Sequence, residues 1–105
     1  MASDIEEIKY LVKNYANDVR RNFPVQKVFL YGSYAKGTAT ELSDVDVCFF
    51  MESFNGKTKT DIIIKLIEIG GKYKGVFFEP NAFPASSLYN DNPFVKEILR
   101  TGVEV

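Results

Sequence analysis

The sequence contains no histidine and only one cysteine, Cys48, among its 105 residues. Without histidine, neither a Ser-His-Asp nor a Cys-His catalytic triad can form, and a zinc site lacks its usual imidazole ligands. A single cysteine also excludes an internal disulfide, which is typical of proteins from a reducing compartment. These absences favour a cytoplasmic protein.

The chain also lacks a strong net charge and a long apolar run. A net charge of −1 gives no overall attraction for nucleic acid, so we expect no direct nucleic-acid binding. Its richest apolar stretch, 62–69, is interrupted by Lys65 and Glu68, and the N-terminal segment has no apolar signal core, so we expect no association with a membrane. The length predicts one domain, 1–105.

Capping residues and apolar periodicity predict the helices. Ser3 and Glu6 form a capping-box pattern before a helix over about 4–21. Asn92-Pro93 is typical of the start of a last helix that runs to about Arg100. Further helices are expected over 33–39 and 60–69.

Short apolar segments between these helices predict the strands. We expect strands at 28–31, 44–51 and 76–79, the last one closed by Pro80. The segment 44–51 is apolar on both faces beyond its aspartates, which is typical of a central strand. The alternation predicts an α/β (α+β) sandwich, with a small mixed β-sheet flanked by helices.

The segment from Gly32 to Asp46 carries the strongest signal for chemistry. Gly32 and Ser33 follow a strand, where a glycine lets a phosphate approach the backbone and a following helix start favours an anion. Asp44 and Asp46 are two residues apart, so on a strand their carboxylates project from the same face. Such a pair requires a cation, and Mg²⁺ prefers carboxylates together with substrate phosphates.

Each of these residues also has an ordinary structural interpretation. Gly32-Ser33 is by itself most often a tight turn, and Asp44 and Asp46 can be turn and surface residues. The apolar residues that follow Asp46 favour the functional interpretation, because a buried aspartate without a partner is costly.

Glu79 is a third candidate acid, on a separate strand that is otherwise apolar. If that strand lies beside the one that carries Asp46, three carboxylates converge and Glu79 acts on the attacking hydroxyl. The alternative is an exposed edge-strand glutamate. Lys36, in the same turn as Gly32, is either a phosphate contact or a solvated lysine. Tyr31 and Tyr34 either stack on a base or pack against the strand.

The chain resembles the nucleotidyltransferase superfamily that includes DNA polymerase β. The resemblance lies in the pattern Gly32-Ser33, then ten residues, then Asp44-Val45-Asp46. Within it, the chain is similar to the minimal nucleotidyltransferases that are encoded beside helical HEPN-domain proteins. The resemblance places the nucleotide contacts on Gly32, Ser33 and Lys36, and the catalytic metal ligands on Asp44, Asp46 and Glu79. Many relatives have arginine where this chain has Lys36, and lysine lacks the bidentate fork that suits phosphate.

The resemblance implies transfer of a nucleoside monophosphate, AMP from ATP, to a hydroxyl with the help of Mg²⁺, two ions being expected. It implies as acceptor a tyrosine of a HEPN-domain toxin, so that the chain acts as an antitoxin. The alternative is a non-catalytic antitoxin or nucleotide-binding module that acts by contact. A wide apolar stripe predicts a partner surface near Ile64, or near Phe94 and Ile98, with a homo-oligomer as the other possibility.

Overall fold

The computed structural model describes residues 4–40 and 43–105. Its centre is a four-stranded mixed sheet with the order β3-β2-β1-β4. Strand β1 is antiparallel to β2 and to β4, whereas β2 and β3 are parallel. The strands are β1 Val25–Tyr31, β2 Val45–Met51, β3 Phe78–Pro84 and β4 Val103–Glu104.

Helices cover both faces of this sheet, which confirms the predicted α/β fold with a mixed sheet. They are α1 Ile5–Arg20, α2 Ser33–Lys36, α3 Lys59–Gly70, the 3₁₀ helix Ala85–Tyr89 and α4 Pro93–Thr101. In the described part of the chain, none of them has the length and apolar character needed to cross a bilayer.

Strand β2 is central, as its sequence predicts, because it is buried on both faces. Val45, Val47, Phe49 and Met51 belong to the larger core, together with the buried sides of α1 and α3. The alternate residues Cys48 and Phe50 belong to a second core under α4. Side chains of a strand alternate between faces, so Asp46 shares the α4 face with these two residues.

Capping residues mark the first turns of the longer helices. The Asp4 carboxylate accepts a hydrogen bond from the backbone N–H of Glu6 at 3.2 Å and caps α1; the predicted cap Ser3 lies outside the described residues. Thr58 and Asp61 form a capping box at α3. Asn92 caps α4 and Pro93 is its first residue, as predicted.

The prediction for the end of the third strand is wrong. We predicted that Pro80 would close it, but β3 continues from Phe78 through Pro80 to Pro84. Because β3 pairs with β2 on one side only, a proline without an N–H group is tolerated at this sheet edge. Strand β4 has only two residues, too few for a recognisable sequence pattern.

Burial corrects one further expectation and decides between two alternatives for another residue. Ile98 is only 2% exposed because it packs in the second core, so it is not available to a partner, whereas Ile64 and Phe94 remain exposed. Tyr34 is also buried, in the larger core, and does not face a base.

Tyr15 connects two helices of the larger core with the sheet that they cover. Its hydroxyl donates a hydrogen bond to the Leu66 carbonyl at 2.6 Å and so joins α1 to α3. Its ring stacks on Phe78 of β3 at 4.4 Å and meets the edge of Phe49 of β2 at 5.3 Å. Burial, with a smaller effect of Tyr73, raises the pKa of Tyr15, so its hydroxyl stays a donor.

Replacing Tyr15 with phenylalanine is expected to lower the free energy of unfolding by about 1 kcal/mol, because the buried Leu66 carbonyl loses its side-chain donor while the ring contacts remain. Urea denaturation monitored by circular dichroism measures this. Tyr89→Phe, at a side chain that is 82% exposed, is the control. Equal stability of the two variants would show that the Tyr15 hydroxyl contributes nothing.

Candidate functional site

Asp46 and Glu79 face each other across the parallel pair β2 and β3. They are register partners on neighbouring strands, so their side chains project from the same face of the sheet. Burial raises the pKa of Asp46 to about 6, and the negative charge and hydrogen bond of Glu79 act in the same direction. The two carboxyl groups therefore lie close together, as the sequence predicts for adjacent strands.

Asp44 lies one residue before β2 and is exposed. Its negative charge also raises the pKa of Asp46, so it is near the pair without belonging to the strand. The structure thus brings Asp44, Asp46 and Glu79 into one acidic site. Their catalytic and metal-binding roles stay predictions.

The carboxylate oxygens of the acidic site are suitable ligands for a hard cation such as Mg²⁺. They are the ligands that Mg²⁺ prefers, and the raised pKa of Asp46 reflects a place where negative charge is unfavourable without a nearby cation. Within residues 4–40 and 43–105, no three acidic, histidine or cysteine side chains are already arranged around a metal position. Asp46 must lose its proton before it can hold such an ion.

Gly32 brings the turn after β1 against this acidic pair. It has φ 74° and ψ −150°, a conformation essentially restricted to glycine. A Cβ atom at this position would overlap the Asp46 carboxylate oxygen Oδ2. The missing side chain therefore permits the close approach of backbone and carboxylate on which the site is built.

Ser33 begins α2 directly after Gly32. This helix has only one turn, so its dipole is smaller than the sequence suggested, but the first N–H groups of a helix have no partner inside it. The Ser33 hydroxyl makes no hydrogen bond to any described residue. It is therefore available to a ligand at the turn.

Lys36 shares a small cavity with Gly32. The cavity has a volume of about 160 Å³, and Tyr31, Phe94 and Glu97 also line it. Hydrogen bonding from Arg100 lowers the pKa of Glu97, and the charge of Lys36 contributes in the same direction. Lys36 is thus beside the glycine turn, as predicted, with a carboxylate of α4 nearby.

Asn81 and Tyr31 complete the same sheet face. Tyr31 is the register partner of Asp46 on β1, and burial raises the pKa of its hydroxyl, while hydrogen bonding from Asn81 acts in the opposite direction. Sequence reasoning missed Asn81, although its position two residues after Glu79 on an extended strand would have placed it on the same face. Cys48 is also on this face, but burial raises the pKa of its thiol to about 12, so it is unreactive at neutral pH.

Residues 12–98 match the family described as nucleotidyltransferase domain. The chain belongs to this family. It is 28% identical over 95 residues to a "putative protein adenylyltransferase" of Methanocaldococcus jannaschii, with 90% of each chain covered. It is 31% identical over 65 residues to protein adenylyltransferase MntA of Thermococcus cleftensis, covering 62% of this chain and 60% of that protein.

Solved structures share the fold of this nucleotidyltransferase. A chain in a mutant crystal structure of the toxin-antitoxin MntA-HpeT matches with a TM-score of 0.64 and 16% identity, over 89% of this chain and 69% of that one. A "putative nucleotidyltransferase" from Sulfolobus solfataricus matches with a TM-score of 0.60 and 16% identity, over 99% and 87% of the two chains. The family predicted from the glycine–serine and aspartate spacing is confirmed.

In this nucleotidyltransferase, Gly32→Ala is expected to be far more harmful than Gly37→Ala. Both glycines have a positive φ, but only at position 32 does a Cβ meet another group, the Asp46 carboxylate. At Gly37 the left-handed backbone costs an alanine about 1–2 kcal/mol. At Gly32 the backbone conformation is essentially restricted to glycine, and the overlap with Asp46 adds a further cost. Urea denaturation of both variants measures the difference. Equal losses would mean that the turn moves away from Asp46 without cost.

Asp46→Asn is expected to stabilise the metal-free protein at pH 7 by about 1 kcal/mol, after discounting for solvent screening. The pKa of Asp46 is raised in the folded state, from 3.8 to about 6, so the folded state retains a proton that the unfolded state releases. Wild-type stability should therefore fall as the pH rises from about 4 to about 6.

The measurement is urea denaturation in EDTA across this pH interval. Asp91→Asn, at a side chain that is 95% exposed, is the control and should keep the wild-type pH profile. An Asp46→Asn variant with the same profile as wild type would contradict the raised pKa.

Proposed function

We propose that this nucleotidyltransferase is a protein adenylyltransferase that transfers AMP from ATP to a tyrosine hydroxyl of a HEPN-domain toxin and thereby acts as its antitoxin. The observation that carries the proposal is the Asp46–Glu79 carboxyl pair beside the Gly32 turn. Relatives named protein adenylyltransferases support the reaction, and the similarity to a chain of a toxin-antitoxin complex supports the role.

In the proposed reaction, the acceptor hydroxyl oxygen attacks the α-phosphorus of ATP. A new phosphorus–oxygen bond forms while the bond between the α-phosphorus and the bridging oxygen of the β-phosphate breaks, and pyrophosphate leaves. The hydroxyl proton passes to the Glu79 carboxylate, which is exposed and therefore reachable by a second protein.

The remaining site residues hold the nucleotide. The Gly32 backbone and the Ser33 hydroxyl contact the phosphates, and Lys36 supplies a point charge from the neighbouring cavity. Asp44, Asp46 and Glu79 would hold Mg²⁺, two ions being proposed, whose chemistry when bound is to neutralise phosphate charge and favour loss of the hydroxyl proton. We place this activity in the cytoplasm, in agreement with the single, buried and unpaired Cys48.

A second candidate is an antitoxin that acts by contact alone. The exposed apolar side chains Ile64 and Phe94, 53% and 44% exposed, favour it because they offer a surface for a partner. The two candidates differ in whether the carboxylates are needed to silence the toxin.

Incubation with Mg²⁺, each labelled nucleoside triphosphate and a candidate HEPN-domain toxin from the same organism tests the proposal. We expect AMP on a partner tyrosine by mass spectrometry, and Asp46→Asn and Glu79→Gln should each lower the transfer rate at least about 100-fold. Asp91→Asn is the control. Neutralisation of the toxin by an Asp44→Asn, Asp46→Asn double variant would favour contact alone, and label from another nucleotide would overturn the choice of ATP.

A further inference from the structure

We infer that the cavity between α4 and the Gly32 turn receives the base of the nucleoside triphosphate, with the Phe94 ring stacked on the base and the Glu97 carboxylate accepting a hydrogen bond from an amino group of that base. The cavity has a volume of about 160 Å³. The inference rests on the proposed function, which supplies the nucleotide, and adds the residues that select its base.

The cavity adjoins the acidic site on the β1 side. Tyr31 lines it and is the register partner of Asp46, so the two side chains project from the same face of the sheet. Gly32 lines it too, and a Cβ atom at Gly32 would overlap the Asp46 carboxylate. Glu79 lies on the other side of Asp46, on β3 at the edge of the sheet. An acceptor hydroxyl that reaches Glu79 from that edge leaves the β1 side to the nucleotide.

The size and lining of the cavity indicate which part of the nucleotide it holds. Sites for whole small-molecule ligands have volumes of about 300–1,000 Å³, so this cavity has room for one part of a nucleotide. Its apolar walls are formed by Tyr31, Phe94 and Ile98. The charges of Glu97 and Lys36 at the cavity have opposite signs and act on each other, so they offer phosphates no net positive charge. A base, which is flat and uncharged, suits this lining better than a triphosphate does.

Phe94 presents an aromatic face that is already fixed in position. Its ring centre lies 5.8 Å from that of Tyr31 and also 5.8 Å from that of Phe83. Despite these contacts, Phe94 is 44% exposed. An exposed ring that its neighbours hold in place loses little conformational freedom when a base stacks on it. The exposure of Phe94 is therefore assigned to the nucleotide and not to a partner protein.

Glu97 provides the selectivity for the base. It follows Phe94 by three residues on α4, so both side chains lie on the same face of the helix. Arg100 donates hydrogen bonds to both Glu97 carboxylate oxygens, at 3.2 and 2.7 Å, which fixes their orientation and lowers the pKa of Glu97. An ionised carboxylate has acceptor positions left and no proton to donate. It therefore favours adenine, which has an amino group at C6, over hypoxanthine, which has an oxygen there.

Isothermal titration calorimetry of the full chain with Mg²⁺ and no acceptor protein tests the stacking contact. Phe94→Ala should weaken ATP binding about 10-fold and leave the binding of inorganic tripolyphosphate unchanged, because only ATP has a base. Tyr10→Ala, at an exposed aromatic residue of α1, is the control and should match wild type for both ligands. Unchanged ATP binding by Phe94→Ala, or equal weakening of ATP and tripolyphosphate, would overturn the inference.

Glu97→Gln tests the selectivity with ATP and ITP, whose bases are adenine and hypoxanthine. Wild type should bind ATP about 10-fold more tightly than ITP. The glutamine amide can accept a hydrogen bond from ATP or donate one to ITP. Glu97→Gln should therefore bind ITP more tightly than wild type does, a gain that a folding defect cannot produce. Glu68→Gln, which removes the ion pair between Glu68 and Lys65 on α3, is the control and should keep the wild-type preference.

Failure of wild type to bind ATP, or equal binding of ATP and ITP by it, would overturn the inference. So would a Glu97→Gln variant that changes only the preference for ATP over 2′-deoxy-ATP, because the carboxylate would then contact the ribose. Transfer of AMP and IMP to the toxin at equal KM for ATP and ITP would contradict the inference and leave the proposed function intact. Nucleotide binding that depends on Phe94 and Glu97 without any AMP transfer would support the base site and contradict the proposed function.

Discussion

The parallel pairing of β2 with β3 is the interaction on which the site depends. It runs from Val45 opposite Phe78 to Met51 opposite Pro84 and places Glu79 opposite Asp46. A slip of one residue would turn Glu79 to the opposite face of the sheet, because side chains alternate with a period of two. The distance between two acidic groups is therefore set by backbone hydrogen bonds between segments that are far apart in the sequence.

Aromatic packing on the other face stabilises this register. Tyr15 contacts Phe49 of β2 and Phe78 of β3, and its hydroxyl binds the end of α3. These contacts hold both strands from the side that carries no site residues. Because side chains of a strand alternate, the inward position of Phe78 turns Glu79 toward the opposite face, where Asp46 lies.

The acidic site is the part of the molecule where stability and function oppose each other. Burial and the charge of Glu79 raise the pKa of Asp46, which means that the ionised pair is unfavourable in the protein alone. Gly32 adds to this arrangement, because its missing side chain lets the turn approach the Asp46 carboxylate. A site that lacks positive charge in this way suits a ligand that brings a cation, and the proposed nucleotide reaction uses that property.

Much of the fold and part of the site were determined by the sequence itself. Helix caps such as Asn92, the two-faced apolar pattern of β2, and the spacing from Gly32 to Asp46 act over a few residues, and each of these predictions is confirmed. The tertiary structure alone decided that Glu79 meets Asp46, that β3 continues through Pro80, and that Tyr34 and Ile98 are buried. Register, edge position and burial depend on contacts between distant segments, and no local pattern of residues encodes those contacts.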